Sequence, residues 1–502
     1  MRGRFKQQLS LGVIPISEVK INTKSRHQLP PLLKALQYVF VTPKLNKAVF
    51  DLLDSHIMSG KKKTGRDGMT LWEVLVLSLV RLNLDADYDT LVDMANEHMA
   101  LRGIMGVGRS DFTTTHEYKY TTVLDNVNLL DEELLRKINT LIVEFTHGLI
   151  KKKEGVEDLD LRMKVDSYVV EGNIHFPTDL NLLWDSLRKC LDMVGHLSNR
   201  GVVLSGLGKH AYWRKQMKAL YRDAAEIHRK KGGNYKERLK LSVKEYTKQS
   251  DLLRDKFRSA VLVLQGMLEE GTLDLRKTLL FKSLIYYLGK LEKHLDLVKR
   301  RILNDETIPH SDKEFSIFED YIQWCSKGKM HKKVELGIPL SIATDQYHLV
   351  VDFELMPGMG DAQAGRIIGG RLVENYASGY GLQSISFDRG YYSKLLKKYL
   401  EGHFEKVIMP KRGKKTPTQQ AEESEEGYKR LRRAHSAVES NINQLEHHGV
   451  NRCPDRGIRN FRRYVALGIL SYNLQRMGNL LIAEERAAEK KEQEEKRWRR
   501  AA

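Results

Sequence analysis

The period at which apolar residues recur changes three times along this chain, and those changes restrict the folds open to it. From Thr70 to about Ile150 the spacing is helical, with Leu71, Val74, Leu75 and Leu82 in one segment and Leu134, Leu135, Ile138, Leu141 and Ile142 in another. Between Met163 and Glu171 it becomes alternation, Met163, Val165 and Val169 being interleaved with Lys164, Asp166 and Tyr168. From Asp179 to Leu303 long charged amphipathic helices are predicted, for example Leu252–Leu264. After Pro309 alternation resumes: Val334–Thr344 and Tyr347–Leu355 flank a short turn at Asp345-Gln346, the pattern of a β-hairpin.

A helix over Asp361–Tyr376, a strand over Ser384–Asp388, a helix from about Ser393, a strand over Lys406–Met409 and a long helix ending near Gly449 complete the pattern. With the helical block set aside, the order from Met163 is β-β-β-α-β-α-β-α, that of an RNase H-like core. The expected fold is α/β: an RNase H-like mixed sheet with a large helical insertion and an N-terminal helical domain. The expected layout is a basic arm and linker over 1–68, a helical DNA-end-binding domain over 69–160 and the first strand or strands over 161–178. A helical insertion over 179–310, the rest of the core over 311–482 and a charged helical tail over 483–502 follow. The turn at Leu82–Tyr88 is compatible with a helix-turn-helix reader of DNA, although most such helix pairs are structural.

Lys and Arg outnumber Asp and Glu by 84 to 65, a net charge of +19 that favours a polyanionic partner such as nucleic acid. Cys190, Cys325 and Cys453 form no CxxC pair, so neither a disulfide framework nor a structural zinc site is expected. His447, His448 and Cys453 are close in sequence but fit no common zinc spacing and read as surface residues around a helix end. No signal peptide or membrane span is expected, because the most apolar stretch, Leu71–Leu84, is interrupted by Glu73, Arg81 and Asn83. Cytoplasmic residence with access to the nucleoid follows as an expectation. Gly60 and Gly65 have phosphate-loop separation, but Arg66-Asp67 replaces the Lys-Ser/Thr pair, which argues against nucleotide binding there. Gly358 and Gly360 lack the third glycine of a dinucleotide fingerprint, Gln363 standing in its place, and read as a structural loop.

Two-metal cleavage of a phosphodiester needs converging carboxylates that hold metals about 3.5–4 Å apart. In the predicted order Asp166 lies on the first strand, where a carboxylate is unfavourable unless it sits at an edge or does chemistry. Asp388 lies at the end of the fourth strand, ahead of a Gly390 turn and a Ser393 cap; a plain helix cap is its competing role. Glu439 lies at the rim of the last helix, whose Tyr428, Leu431, Val438, Ile442 and Leu445 form an apolar stripe. His435, Glu439 and Asn443 share one ridge.

Three segments, Val165–Asp179, Phe387–Ser393 and Arg433–Asn443, resemble insertion-sequence transposases of the DDE class found in bacteria, nearest to the ISNCY type. The similarity extends to Gly65–Leu77, Arg452–Ile458 and Phe461–Ala466. The resemblance places the three family acids on Asp166, Asp388 and Glu439, as catalytic residues and as ligands of Mg²⁺, for which Mn²⁺ substitutes. It implies cleavage of transposon ends and strand transfer into target DNA by a homodimer bound to double-stranded DNA, with Arg389, Arg432, His435 and Asn443 as auxiliary or DNA-contacting candidates. Arg432, His435 and Glu446 stand where relatives with a Tyr-Arg-Glu-Lys signature carry Tyr, Arg and Lys, a departure that bears on those auxiliary contacts. Two alternatives stay open: a nuclease that cuts without joining, and a DNA-binding regulator that has lost activity.

Overall fold

The computed structural model describes residues 2–6, 13–60, 68–108, 117–326 and 334–501. It divides into two compact units, residues 1–173 with 325–502, and residues 174–324. Helices α1 (Leu29–Val41), α2 (Pro43–Leu53), α3 (Leu71–Asn83), α4 (Tyr88–Glu97), α5 (Met99–Met105), α6 (Tyr120–Val127) and α7 (Glu132–Glu154) precede strand β1 (Asp160–Gly172). The second unit is built from α8 (Asp179–Ser198), α9 (His210–Lys230), α10 (Tyr235–Glu269) and α11 (Leu275–Val298). After the junction strand β2 (Gln323–Cys325) come β3 (Glu335–Thr344), β4 (Val350–Leu355), α12 (Asp361–Tyr376), β5 (Gly381–Phe387), α13 (Lys394–Glu401) and β6 (Lys406–Ile408). The chain ends with α14 (Pro417–Ser424), α15 (Glu426–His435), α16 (Ala437–Leu445), β7 (Arg452–Cys453) and α17 (Ile458–Ala501).

Residues 1–68, expected to be an arm and linker, contain α1 and α2, whose Leu32, Leu36, Val49 and Phe50 are buried. Prolines sit in the first turn of each helix, where a missing N–H costs nothing. Residues 61–67, including Gly65 and Arg66-Asp67, lie outside the described residues. The N-terminal helices are not a separate body: α1 and α3 pack on α17, and α2 and α17 pack on α7. Helix α3 is buried throughout. Two of its polar interruptions are matched: Glu73 accepts from Thr70 in a capping box and from Tyr118 Oη at 2.5 Å, while Arg81 grips Asp455 at 2.7 and 3.2 Å. No helix among the described residues is long and apolar enough to cross a membrane. The turn after α3 is tight, with Asp85 at φ +47° and Asp87 capping α4.

Helix α17 meets α1 through Gly478, where a Cβ would fall 1.8 Å from the Pro31 carbonyl oxygen. Glycine in a helix interior ordinarily costs about 0.5–1 kcal/mol relative to alanine. Here the sign is expected to reverse: Gly478→Ala should lower unfolding stability by about 3 kcal/mol, the upper end of overpacking costs because the obstacle is backbone. Chemical denaturation of the two proteins reads the difference.

The mixed sheet runs β2-β3-β1-β5-β6, with β4 beside β3 and β7 beside β1. Strand β1 is antiparallel to β3 and parallel to β5. Its odd-numbered residues Met163 and Val165 enter a core with Ile368, Leu372, Ile385 and Phe387. The hairpin loop is longer than expected, spanning residues 345–349 with His348 at φ +64°. Asp345 organises it by accepting from Tyr347 and Leu349 N–H groups at 2.9 Å each, and it meets the buried His147 at 2.7 Å. The long helix expected to end near Gly449 is instead broken into α14, α15 and α16. Glu425 leaves the helical region with ψ 138°, and Ser436, whose hydroxyl donates to the Arg433 carbonyl at 2.9 Å, interrupts the run. A final turn over Glu446–Val450 closes on Gly449 at φ +76°.

The four-helix unit has its own core, including Leu183, Leu187, Tyr246, Phe257, Leu284 and Leu291. Residues 483–499 of α17 are exposed.

Candidate active site

The pairing Val165↔Phe387 on parallel strands β1 and β5 places the next residues, Asp166 and Asp388, at one level on neighbouring strands. Asp166 is half-buried and its Oδ1 accepts the Ser167 N–H at 2.7 Å. Asp388 is exposed, and although it precedes a short helical turn its side chain caps nothing. It carries no hydrogen bond or ion pair among the described residues, so the competing cap role is unfilled. Glu439 is exposed in the first turn of α16, which packs on β1. The strand acids are thus neighbours and the third comes from a helix against the same strand. They are not gathered: among the described residues no three His, Cys, Asp or Glu side chains stand close enough to share a metal ion.

Helix α15 packs on β5 and carries His435 onto the sheet face that bears Lys164, where Nδ1 meets Ser386 Oγ at 3.0 Å. Nε2 is buried without a hydrogen-bond partner among the described residues. Burial holds the imidazole at about 4, with Asp388 acting in the opposite sense and Arg432 and Lys164 adding to the fall. His435 is therefore neutral at pH 7. Its ordinary value is 6.5, so on acidification the unfolded chain takes up the proton first, and the stability His435 contributes is complete above pH 6.5 and lost as pH falls towards 4. Urea midpoints across that range should fall more steeply for the wild type than for His435→Gln.

Sequence reasoning missed Asp361, Ser167 and Tyr391. Asp361 opens α12, and its Oδ1 accepts from Ser167 Oγ at 3.2 Å. Its other oxygen lies where a Cβ on Gly390 would stand, 2.3 Å away, so the glycine after Asp388 admits this carboxylate to the turn. Tyr391 is buried, bonded to Ser341 Oγ at 2.7 Å, and burial pushes its phenol well up. An acid in the first turn of a helix reads as a complement to the helix dipole, which hid Asp361. Lys164, two residues from Asp166, has its ammonium pushed down by burial, opposed by Asp345.

Of the auxiliary candidates, Arg389 and Asn443 are exposed and Arg432 is half-buried. His448 and Cys453, expected at the surface, are buried; His448 Nδ1 lies 3.2 Å from the Asn83 carbonyl and the Cys453 Sγ 3.7 Å from that of Asp455. No family model, curated protein or solved structure matches this chain.

Proposed function

We propose that this chain is a DNA transposase that cleaves transposon ends and transfers them into target DNA, with Asp166, Asp388 and Glu439 as its catalytic acids on an RNase H-like core. The observation that carries the reading is that Asp166 on β1 and Asp388 just after β5 follow the paired Val165 and Phe387 of two parallel strands, with α16 and its Glu439 packed against β1. The motif resemblance and the net charge of +19 support a DNA substrate.

The donors are all carboxylate oxygens, the kind a hard divalent cation prefers. Asp166, Asp388 and Glu439 would hold Mg²⁺ once drawn together from the separate positions they have in the free chain, and the metal would supply activation of water and then of a 3′-hydroxyl. The Ser167 N–H fixes one oxygen of Asp166, leaving its orientation set before DNA arrives. Asp388 and Glu439 have no competing partner to give up. Neutral His435 adds no charge beside them, while Lys164 and Arg432 supply cations that a phosphate needs. The expected assembly is a homodimer on paired double-stranded DNA ends.

The test is incubation of the chain with Mg²⁺ or Mn²⁺ and DNA carrying the sequences that flank its gene. Nicked ends joined to target DNA are the expected products. Cleavage without joining would make it a nuclease, and binding without cleavage a regulator.

A further inference from the structure

The helical unit contains a cavity of about 430 Å³, within the size range of small-molecule sites. One wall is a run of rings in successive contact: Phe176 on Trp324 at 5.9 Å, Trp324 on Phe315 at 5.5 Å, and Phe315 on His310 at 5.4 Å. Phe176 is 61% exposed.

The rest of the lining mixes apolar residues with charged ones, Asp179 and Glu314 standing with Arg301 and Lys313. Asp179 is matched by Arg301 at 2.5 Å. Glu314 is shared by Lys290 at 3.0 Å, Lys293 at 2.9 Å and His294 at 3.2 Å. Burial alone would raise the Glu314 carboxyl, but its bonds to His294, Lys293 and Lys290 hold it well below the carboxylate range, so it stays ionised. Lys290 and Lys293 are not on the lining but neutralise Glu314 there, and Lys313, which is on it, has no ion pair among the described residues. His294, fully buried on the lining, has an Nδ1 with no hydrogen-bond partner among the described residues. A buried ring nitrogen with no partner is costly unless something else fills the role.

We infer that this cavity binds a nucleotide, the base stacked on the Phe176–Trp324–Phe315 wall with an edge on His294, and the phosphate at Lys313 and Arg301. Aromatic faces accept any base, and cations beside them take the phosphate. A free mononucleotide and an unpaired nucleotide of a DNA strand share this chemistry. The inference rests on the helical unit alone and is independent of the proposed catalysis.

The test uses 2-aminopurine, whose fluorescence is quenched by stacking, as a free deoxynucleoside monophosphate and as the terminal base of a short single strand. Both are titrated with the full chain and with Trp324→Leu, Phe315→Leu and Lys313→Ala. Saturable quenching by the wild type, weakened about tenfold or more in the wall variants and also in Lys313→Ala, is expected. Quenching of the monophosphate identifies a free nucleotide as a sufficient ligand, and quenching of the strand alone identifies a nucleotide within DNA. Phe315→Leu and Lys313→Ala keep the test valid if Trp324→Leu does not fold. The inference is overturned if neither probe is quenched, if quenching is unchanged in folded variants, or if inorganic phosphate competes as well as the mononucleotide.

Discussion

Asp388→Asn is expected to abolish metal-dependent cleavage and joining while leaving DNA binding and folding intact. In the proposed mechanism Asp388 is a metal ligand, and its loss would remove several kcal/mol of transition-state stabilisation, at least about a hundredfold in rate. The amide keeps the size of the carboxylate but not its charge. Because the Asp388 side chain is exposed and holds no partner in the fold, the denaturation midpoint should not move. Asp166→Asn should lose activity equally, with a small stability change because its Oδ1 accepts the Ser167 N–H. Cleavage and strand-transfer products are separated on gels at matched protein and Mg²⁺ concentrations, and DNA affinity is measured alongside. Cleavage that survives either change would remove these acids from the mechanism, and lost binding would mean the substitution had damaged more than the metal site.

The largest expected stability effect lies behind the same site, in the charge network joining α7, β4 and α12. Asp352, 4% exposed, lies between Arg371 Nε at 2.7 Å and an Arg136 terminal nitrogen at 2.8 Å. Glu354 takes another Arg371 nitrogen at 2.8 Å, and Glu132 binds Arg136 at 2.8 Å and Arg462 at 2.9 Å. Removing the central acid takes one partner from each guanidinium, Arg371 keeping Glu354 and Arg136 keeping Glu132, and breaking buried pairs costs about 3–5 kcal/mol. Asp352→Ala should show a loss of that order in urea. The exposed Glu133–Lys137 pair is the control, and Glu133→Ala should leave the midpoint where it is. Equal midpoints for Asp352→Ala and wild type would show that the network is relaxed by water or by rearrangement.

The strands were legible in the sequence because part of each alternates: Leu161, Met163 and Val165 on β1, Ile338, Leu340 and Ile342 on β3, and Ile385 and Phe387 on β5. Asp166 stood out because a carboxylate in mid-strand has a cost that invites explanation. Glu439 was legible only through a helix stripe read as continuous. The stripe survives in the buried Tyr428, Val438 and Leu445, but Ser436 and Glu425 divide the helix that carries it. A serine hydroxyl competing for a backbone carbonyl is a local event with no periodic signature.

What the sequence determined by itself is what depends on near neighbours: the order of the core elements, the helical character of residues 179–303, the Thr70–Glu73 and Ser393 caps, and the acids on β1 and after β5. The tertiary structure decided what depends on distant partners. Pro30 and Pro43 open helices because α17 and α7 bury the faces that follow them. Glu73 and Arg81 are tolerated in a buried helix because Tyr118 and Asp455 meet them there. Asp361 joins the turn after Asp388 because Gly390 leaves it room, a contact between residues 29 apart in the chain. Alternation and capping act within a few residues and leave a trace in the string, whereas charge pairing and close packing act across the fold and leave none.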